Sequence, residues 1–174
     1  PKSIACVRAK LDLKDMLQLK RDGTVVSKDG MVNCLKIALN YTWHLDKIAD
    51  RLNIPIAKLR NTFFEKTKNK DFLNNYLKIY NPTLPGISIF VFGDIKKLMY
   101  PETKVTLRVH DACLNSDCFR GTICTCSPYL LYAIENCVKT AQKGGVGLIF
   151  YYKKEGRSLG EIIKFRVYSA RENK

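Results

Sequence analysis

The sequence predicts an α+β fold, a mixed sheet with flanking helices around a cysteine-rich loop, preceded by a small, mainly helical N-terminal region. Three observations predict this class. Apolar residues recur at helical spacing between positions 46 and 66. A continuous run of branched and aromatic residues at Ile87–Phe92 is typical of a buried strand. Residues 105–152 then show a strand pattern, a loop, a helix pattern and a second strand pattern.

The helical pattern in the first half predicts two short helices joined by a turn. Ile48 and Leu52 share one face of the first, Leu59 and Phe63 share one face of the second, and residues 53–55 break the pattern. In some DNA-binding proteins such a pair places its second helix in the major groove. Plain packing of two amphipathic helices explains the same pattern, so both interpretations stay open at this point.

A proline-containing stretch divides the chain. Residues 81–86 predict a linker between a partly helical extension at 1–85 and a second domain at 86–174. With 174 residues, the chain is long enough for one ordinary domain, or for a domain with a small additional module.

The charge balance points to an anionic partner. The formal net charge is +14, and the excess is spread over both halves of the chain. Such a field attracts nucleotide phosphate or nucleic acid, although a diffuse lysine excess is also typical of an ordinary solvated surface. No stretch has the roughly 20 apolar residues of a membrane span. We therefore expect a cytoplasmic protein that does not enter a membrane.

Cysteine spacing predicts a metal site. Of seven cysteines, four crowd into positions 113–126. Cys113, Cys124 and Cys126 form a Cys-x10-Cys-x-Cys pattern, in which two thiolates of one loop reach the same ion and a turn brings in the third. Three thiolates favour one Zn²⁺ per chain and leave its fourth position open, as in catalytic sites. If Cys118 were a fourth ligand, the site would be closed and structural.

The elements around the cysteines place this loop at the edge of a sheet. Residues 105–110 alternate, so Arg108 and His110 share the polar face of a predicted strand. In isolation such residues are most simply explained as solvent-facing edge residues. A helix over 127–141 and a strand over 146–152 follow the cysteines.

The last segment predicts a glycine-containing turn and a helix that runs to the end of the chain. Gly156 and Arg157 lie in the turn, where backbone N–H groups and a guanidinium can bind phosphate. Lys164 and Tyr168 project together from the polar face of the helix, opposite an apolar face that includes Ile163. A surface turn of this composition is common, so the motif is weak by itself.

Taken together, these motifs resemble GTP cyclohydrolase II, a family of zinc enzymes that open a purine ring at the start of riboflavin synthesis. The matching features are RVH before the first cysteine, Cys-x10-Cys-x-Cys, and EGR followed by Gly, Lys and Tyr. The cyclohydrolase-II-like family of uracil catabolism is similar over RVHDAC, ICTCSPYL, GGVGLIFYYKKEGRSLGE and KFRVYSAR. Its N-terminal extension is similar to YTWHLDKIADRLNI and GISIFVFGD, so the helix pair belongs to an enzyme in that family.

The resemblance implies hydrolytic ring opening of a nucleotide base by a zinc-dependent homodimer. It makes Tyr168 the candidate for proton transfer. It implies that nine residues bind the substrate: Arg108, Val109, His110, Asp111, Tyr129, Glu155, Gly156, Arg157 and Lys164. The riboflavin enzymes usually have Glu at Ala112 and Gln near Tyr129. These departures argue against guanine specificity, and the resemblance to the uracil-catabolism family implies a uracil nucleotide such as UMP rather than GTP. The Tyr129 ring offers a surface for stacking a base.

Two expectations limit the enzymatic interpretation. The family's arginine nucleophile and acidic proton acceptor lie beyond the match to Tyr168, so we expect the domain at 86–174 to be C-terminally incomplete. A nucleotide-binding homologue without turnover is therefore one alternative. The other is a zinc-stabilised nucleic-acid-binding module that uses residues 46–66.

Overall fold

The structure, a computed structural model, describes three stretches of the chain, residues 3–75, 78–80 and 86–172. The chain divides into two compact units. One contains the described residues of 1–4 and 40–85, and the other those of 5–39 and 86–174. Most of the predicted linker at 81–86 lies outside the described residues. In the part of the chain that the structure describes, no helix has the length and apolar character needed to cross a membrane.

The secondary structure mixes short strands and helices. In chain order, the strands are β1 (Ile4–Leu11), β2 (Val32–Leu39), β3 (Thr42–His44), β4 (Lys78–Tyr80), β5 (Ile87–Phe92), β6 (Val105–Asp111) and β7 (Val146–Tyr152). The α-helices are α1 (Leu45–Leu52), α2 (Ile56–Thr67), α3 (Leu114–Asp117), α4 (Cys126–Gln142) and α5 (Glu161–Glu172). Short 3-10 helices span Lys70–Leu73 and Ile95–Met99.

The first unit is built on the predicted helix pair. Asn53 adopts the left-handed conformation with φ 52° and ends α1, and Pro55 occupies the N-cap position of α2. The two-stranded sheet of β3 and β4 accompanies the helices. The buried apolar residues of this unit are Leu45, Ala49, Leu59, Phe72 and Ile79. The predicted break between two short helices is confirmed.

The second unit is a five-stranded mixed sheet with the order β1-β2-β5-β7-β6. β5 pairs antiparallel with both β2 and β7, while β6 pairs parallel with β7 at the edge of the sheet. The crossover from β6 to β7 runs through α4, as parallel pairing requires. Phe92 and Ile149 from the sheet and Val138 from α4 lie in the same apolar core. The predicted α+β class and mixed sheet are confirmed.

The prediction of a mainly helical N-terminal region is wrong for the first forty residues. Residues 5–39 contribute β1 and β2, and helices begin only at Leu45. β2 is a strand because β5 lies beside it, with Leu35 opposite Val91. As a result, these residues belong to the same compact unit as the second half of the chain, which differs from the predicted division at residue 85.

β6 is an edge strand whose apolar face is exposed and whose polar face is buried, the reverse of the usual arrangement. Leu107 and Val109 are each 54% exposed, whereas His110 is only 3% exposed. Thr106 turns towards α4, where its Oγ1 lies 2.6 Å from Oγ1 of Thr140. The polar face of β6 therefore points into the protein, and the simple interpretation of Arg108 and His110 as solvent-facing residues does not hold for the buried His110.

Candidate active site

Three cysteine sulfurs meet where β6 ends and α4 begins. Cys113 follows β6 and is 1% exposed, Cys124 lies in the intervening loop, and Cys126 is the first residue of α4. Their sulfurs all lie within 4.8 Å of one another, and those of Cys113 and Cys124 are 3.5 Å apart. Since Zn–S bonds of about 2.3 Å in tetrahedral geometry hold sulfurs a little under about 4 Å apart, this cluster fits one zinc ion.

The electrostatics of the cluster favour a bound cation. Burial, followed by the hydrogen bond with Cys124, raises the pKa of the Cys126 thiol to about 12, and burial also raises the pKa of Cys113. At Cys124 burial acts in the same direction, but the hydrogen bond from the backbone of Cys126 holds its pKa below the usual value. Packed thiols cannot all ionise unless a positive charge offsets them, and an all-sulfur donor set selects zinc over magnesium or calcium. Cys118 is exposed and is not part of the cluster, so the three cysteines would leave one coordination position of a tetrahedral ion open.

Asp117 supports the cluster from inside the protein, a role that the sequence did not predict, although it shows an acidic residue among the cysteines. Its Oδ2 accepts hydrogen bonds from Nε2 of His110 at 3.1 Å, the hydroxyl of Tyr151 at 2.8 Å and the backbone N–H of Cys113 at 3.1 Å. Burial acts the other way, but the bonds from His110 and Tyr151 hold the pKa of Asp117 below its usual value. Asp117 therefore ties β6 and β7 to the first cysteine.

Lys164 reaches the same cysteine from α5. Its Nζ lies 2.9 Å from Sγ of Cys113 and 2.8 Å from Oε1 of Glu155. The second oxygen of Glu155 accepts the backbone N–H of Leu114 at 3.1 Å. Burial lowers the pKa of the Lys164 ammonium, but the hydrogen bonds to Cys113 and Glu155 outweigh it, so the net shift is upward. This cation is thus charged and aimed at a sulfur.

An open cleft of about 690 Å³ lies beside the cysteine cluster. Ten of the residues predicted for the site line it, namely Arg108, Val109, His110, Asp111, Cys126, Tyr129, Gly156, Arg157, Lys164 and Tyr168. Thr125 and Arg171 also line the cleft, and neither was predicted from the sequence as a site residue. Cys113, Cys124 and Glu155 lie outside this lining, and Glu155 is engaged with Lys164 and Leu114.

Arg108 and Tyr129 form a cationic and aromatic part of the cleft wall. The guanidinium carbon of Arg108 lies 6.0 Å from the centre of the Tyr129 ring, which leaves 58% of Tyr129 exposed. Nε of Arg108 is buried, and it has no hydrogen-bond partner among the described residues. A buried guanidinium N–H without a partner is suited to an anionic or carbonyl oxygen that arrives with a ligand.

The turn before α5 brings a second arginine to the cleft. Gly156 has φ 76°, and a Cβ at this position would lie 2.1 Å from the carbonyl carbon of Gly160, so only glycine fits. Arg157 follows with φ 54° and an 86% exposed side chain, whose Nε lies 3.6 Å from Oδ2 of Asp111. On α5, the guanidinium of Arg171 lies 5.7 Å from the centre of the Tyr168 ring.

Comparison with known proteins assigns this arrangement to a family. The model of the GTP cyclohydrolase II family matches residues 54–174. The chain belongs to the GTP cyclohydrolase II family. A second model, described as the GTP cyclohydrolase N terminal, matches residues 1–66. The cysteine cluster, the Arg108 strand and the Gly156 turn all fall within the match to GTP cyclohydrolase II, which confirms the resemblance found in the motifs.

Individual relatives cover different parts of the chain. The "Putative GTP cyclohydrolase URC1" of Lachancea kluyveri is 38% identical over 98% of this chain and 40% of its own length. The "Uracil-regulated protein 1" of Schizosaccharomyces pombe is 33% identical over 98% of this chain and 41% of its own. The "GTP cyclohydrolase-2" of Haemophilus influenzae is 33% identical over 47% of this chain and 35% of its own. The chain therefore spans about two fifths of the length of the first two relatives. These relationships support a cyclohydrolase-like function.

Proposed function

We propose that this chain carries the zinc site of a cyclohydrolase that opens the ring of a nucleotide base by hydrolysis. One observation carries the proposal: the three-sulfur cluster adjoins, through Cys126, a cleft lined by Arg108, Arg157 and Tyr168. An open coordination position beside a polar cleft is the arrangement of catalytic rather than structural zinc. A structural zinc site has no need of a cleft with two arginines.

Cys113, Cys124 and Cys126 would hold one zinc ion. When bound, the ion supplies Lewis acidity that activates water for attack on a ring carbon. The residues of the chain bind and orient the substrate. Arg108 offers its free Nε–H to a phosphate or ring oxygen, and the exposed guanidinium of Arg157 reaches the same cleft. The proposed role of the Tyr168 hydroxyl is to hold or transfer a proton during ring opening.

The proposed substrate base is uracil, with UMP preferred over GTP. Tyr129 presents an exposed ring beside Arg108, where a base can stack, and Ala112 in the cleft lacks the carboxylate that the resemblance places there in guanine-specific enzymes. The S. pombe relative is named for regulation by uracil, which is consistent with this preference. The remaining substrate residues of the proposal are Val109, His110, Asp111, Gly156 and Lys164, which line the cleft, and Glu155, which lies outside the lining and would act through its bond to Lys164.

The proposal also includes a homodimer in the cytoplasm, the assembly and location expected from the resemblance. The apolar side chain of Ile162 on α5 is 71% exposed and does not line the cleft, which is consistent with burial against a second copy. Light scattering during gel filtration measures the mass. A strictly monomeric protein at micromolar concentration would remove this part of the proposal and leave the zinc site untouched.

The decisive experiment follows the ultraviolet absorbance of UMP and of GTP incubated with the zinc-loaded protein in the longest natural form of the chain. We expect loss of the uracil absorbance with UMP and a much slower change with GTP. Cys124→Ser should lose both bound zinc and ring opening, while the matched variant Cys118→Ser, at an exposed cysteine outside the cluster, should retain both.

Three outcomes would overturn the proposal. Stoichiometric zinc in Cys124→Ser would mean that the ligands are wrongly assigned. Binding of UMP, measured by calorimetry, without any change in absorbance would favour a nucleotide-binding homologue without turnover. Tight duplex DNA binding that weakens steeply with salt, together with no affinity for nucleotide, would favour the nucleic-acid-binding module.

A further inference from the structure

Lys164 occupies a position that substrate binding alone does not explain. Its side chain is 16% exposed and that of Glu155 is 10% exposed. Lysine is rarely buried to this extent unless it is paired, because desolvation of the ammonium is costly. Its hydrogen-bond partners are the Glu155 carboxylate at 2.8 Å and the sulfur of Cys113 at 2.9 Å, and its Nζ also lies 5.2 Å from the centre of the Phe165 ring. One partner is therefore a predicted metal ligand.

Glu155 fixes the direction of the ammonium. Its Oε1 accepts from Lys164, while its Oε2 accepts the backbone N–H of Leu114, the residue that follows Cys113. The carboxylate thus bridges α5 and the chain at the first cysteine. Because both oxygens of Glu155 are engaged, the carboxylate is held in place. It in turn holds the ammonium of Lys164 beside the sulfur of Cys113. Cys113 is held at its backbone side by Glu155 through Leu114 and at its sulfur by Lys164.

We propose that Lys164 is a positioning residue that tunes the metal site by donating an N–H···S hydrogen bond to Cys113. Three thiolates around Zn²⁺ carry one negative charge in excess, and their strong electron donation weakens the Lewis acidity that ring opening needs. A hydrogen bond from an ammonium withdraws electron density from one of these sulfurs. Lys164 thereby restores part of the acidity that an all-thiolate site loses.

This inference rests on the metal site of the proposed function, so the experiment first establishes metal binding. Cobalt(II) replaces zinc as a coloured probe, and the energy of its sulfur-to-cobalt charge-transfer band reports how strongly the thiolates donate. In Lys164→Met we expect this band to move to lower energy, with cobalt still bound at one per chain. Competition with a chelator should show zinc bound about tenfold more weakly, the loss typical when a ligand's hydrogen-bond partner is removed.

Matched variants separate this role from a structural one. Lys164→Arg keeps a cationic N–H donor and should restore most of the band energy. Lys154→Met removes an exposed lysine of the preceding loop and should leave the spectrum unchanged. If Lys164→Met fails to fold, Lys164→Gln replaces the ammonium by a neutral donor and should give an intermediate shift.

The possible failures are distinguishable. An unchanged band energy in folded, metal-loaded Lys164→Met or Lys164→Gln would overturn the inference while leaving the zinc site intact. Absence of stoichiometric cobalt and zinc in the wild-type protein would instead remove the metal site itself, and with it the proposed function.

Discussion

Two groups of elements in the second compact unit differ in whether their apolar side chains are buried or exposed. α4, β5 and β7 bury apolar side chains, as shown by the fully buried Phe92 and Val138. β6 and α5 expose theirs, with Leu107 54% and Ile162 71% exposed. In β6 the polar side chains turn inward instead, as the buried His110 shows. From α5, one lysine reaches the cysteine cluster.

The contrast shows which part of the unit is organised for stability and which for chemistry. Burial of apolar surface is the main favourable contribution to folding, so α4, β5 and β7 supply it. Buried polar and charged groups are costly unless each is paired. Asp117 and Lys164 are largely buried, and both bind Cys113. We infer that the desolvation cost of these charged groups is accepted because they position the cysteine cluster.

The largest expected effect tests the contrast directly. Phe92→Ala removes a fully buried ring from the core and should lower the free energy of unfolding by about 3–5 kcal/mol. Leu107→Ala truncates a half-exposed side chain of β6 and should change it by less than about 0.5 kcal/mol. Urea denaturation of the zinc-loaded protein measures both. Equal losses in the two variants would show that the exposed face of β6 is covered in solution.

A smaller effect is expected at the polar interior of β6. Asp117→Ala removes the acceptor shared by His110, Tyr151 and the N–H of Cys113, so buried donors lose their partner and the free energy of unfolding should fall by about 3 kcal/mol. Asp117→Asn keeps an acceptor oxygen in the same place. Its loss should be about 1 kcal/mol.

Denaturation of Asp117→Ala and Asp117→Asn in parallel checks whether the shared acceptor is responsible. If the asparagine variant is as unstable as the alanine variant, the negative charge rather than the three hydrogen bonds stabilises this region, and the account of Asp117 as a shared acceptor is wrong.

The sequence was sufficient for those elements whose pattern is decided locally. The apolar run of β5, the alternation of β6 and the periodicity of α4 and α5 all predicted the observed elements. β2 has no such continuous run, because Asn33 and Lys36 interrupt its apolar residues, so its local pattern did not identify a strand. Local pattern also does not reveal which face of a strand packs, and so the buried position of His110 could not be predicted.

The local part of the site could also be predicted from the sequence, whereas the contacts between distant elements could not. The spacing of Cys113, Cys124 and Cys126 identified three sulfurs that the structure places together, because a metal loop is a local motif. Asp117 had no such signal, since its partners come from β6, β7 and the loop and meet only in the folded chain. The contact of Lys164 with the sulfur was equally unpredictable, because it depends on how α5 lies against the first cysteine. The family resemblance implied only that Lys164 binds substrate.

The smallest predicted effect concerns a polar group that serves the fold alone. Asp22 lies far from the cysteines in the chain, in the turn before β2, where its carboxylate accepts from the hydroxyl of Thr24 at 2.7 Å and from the N–H of Val26 at 2.8 Å. Burial acts the other way, but the bond from Val26, followed by that from Thr24, lowers the pKa of Asp22 from 3.8 to about 2. In the unfolded chain this stabilisation is absent.

Because the folded pKa is the lower one, the unfolded chain binds a proton first as the pH falls. The stabilisation by Asp22 is therefore complete above the ordinary pKa and disappears between about pH 4 and pH 2. Solvent screening reduces it to about 1 kcal/mol. Asp22→Asn cannot titrate, so its free energy of unfolding should fall by about 1 kcal/mol less than that of the wild type over this range, measured by urea denaturation at both pH values. Parallel pH profiles for the two proteins would show that the Asp22 turn contributes nothing to acid sensitivity.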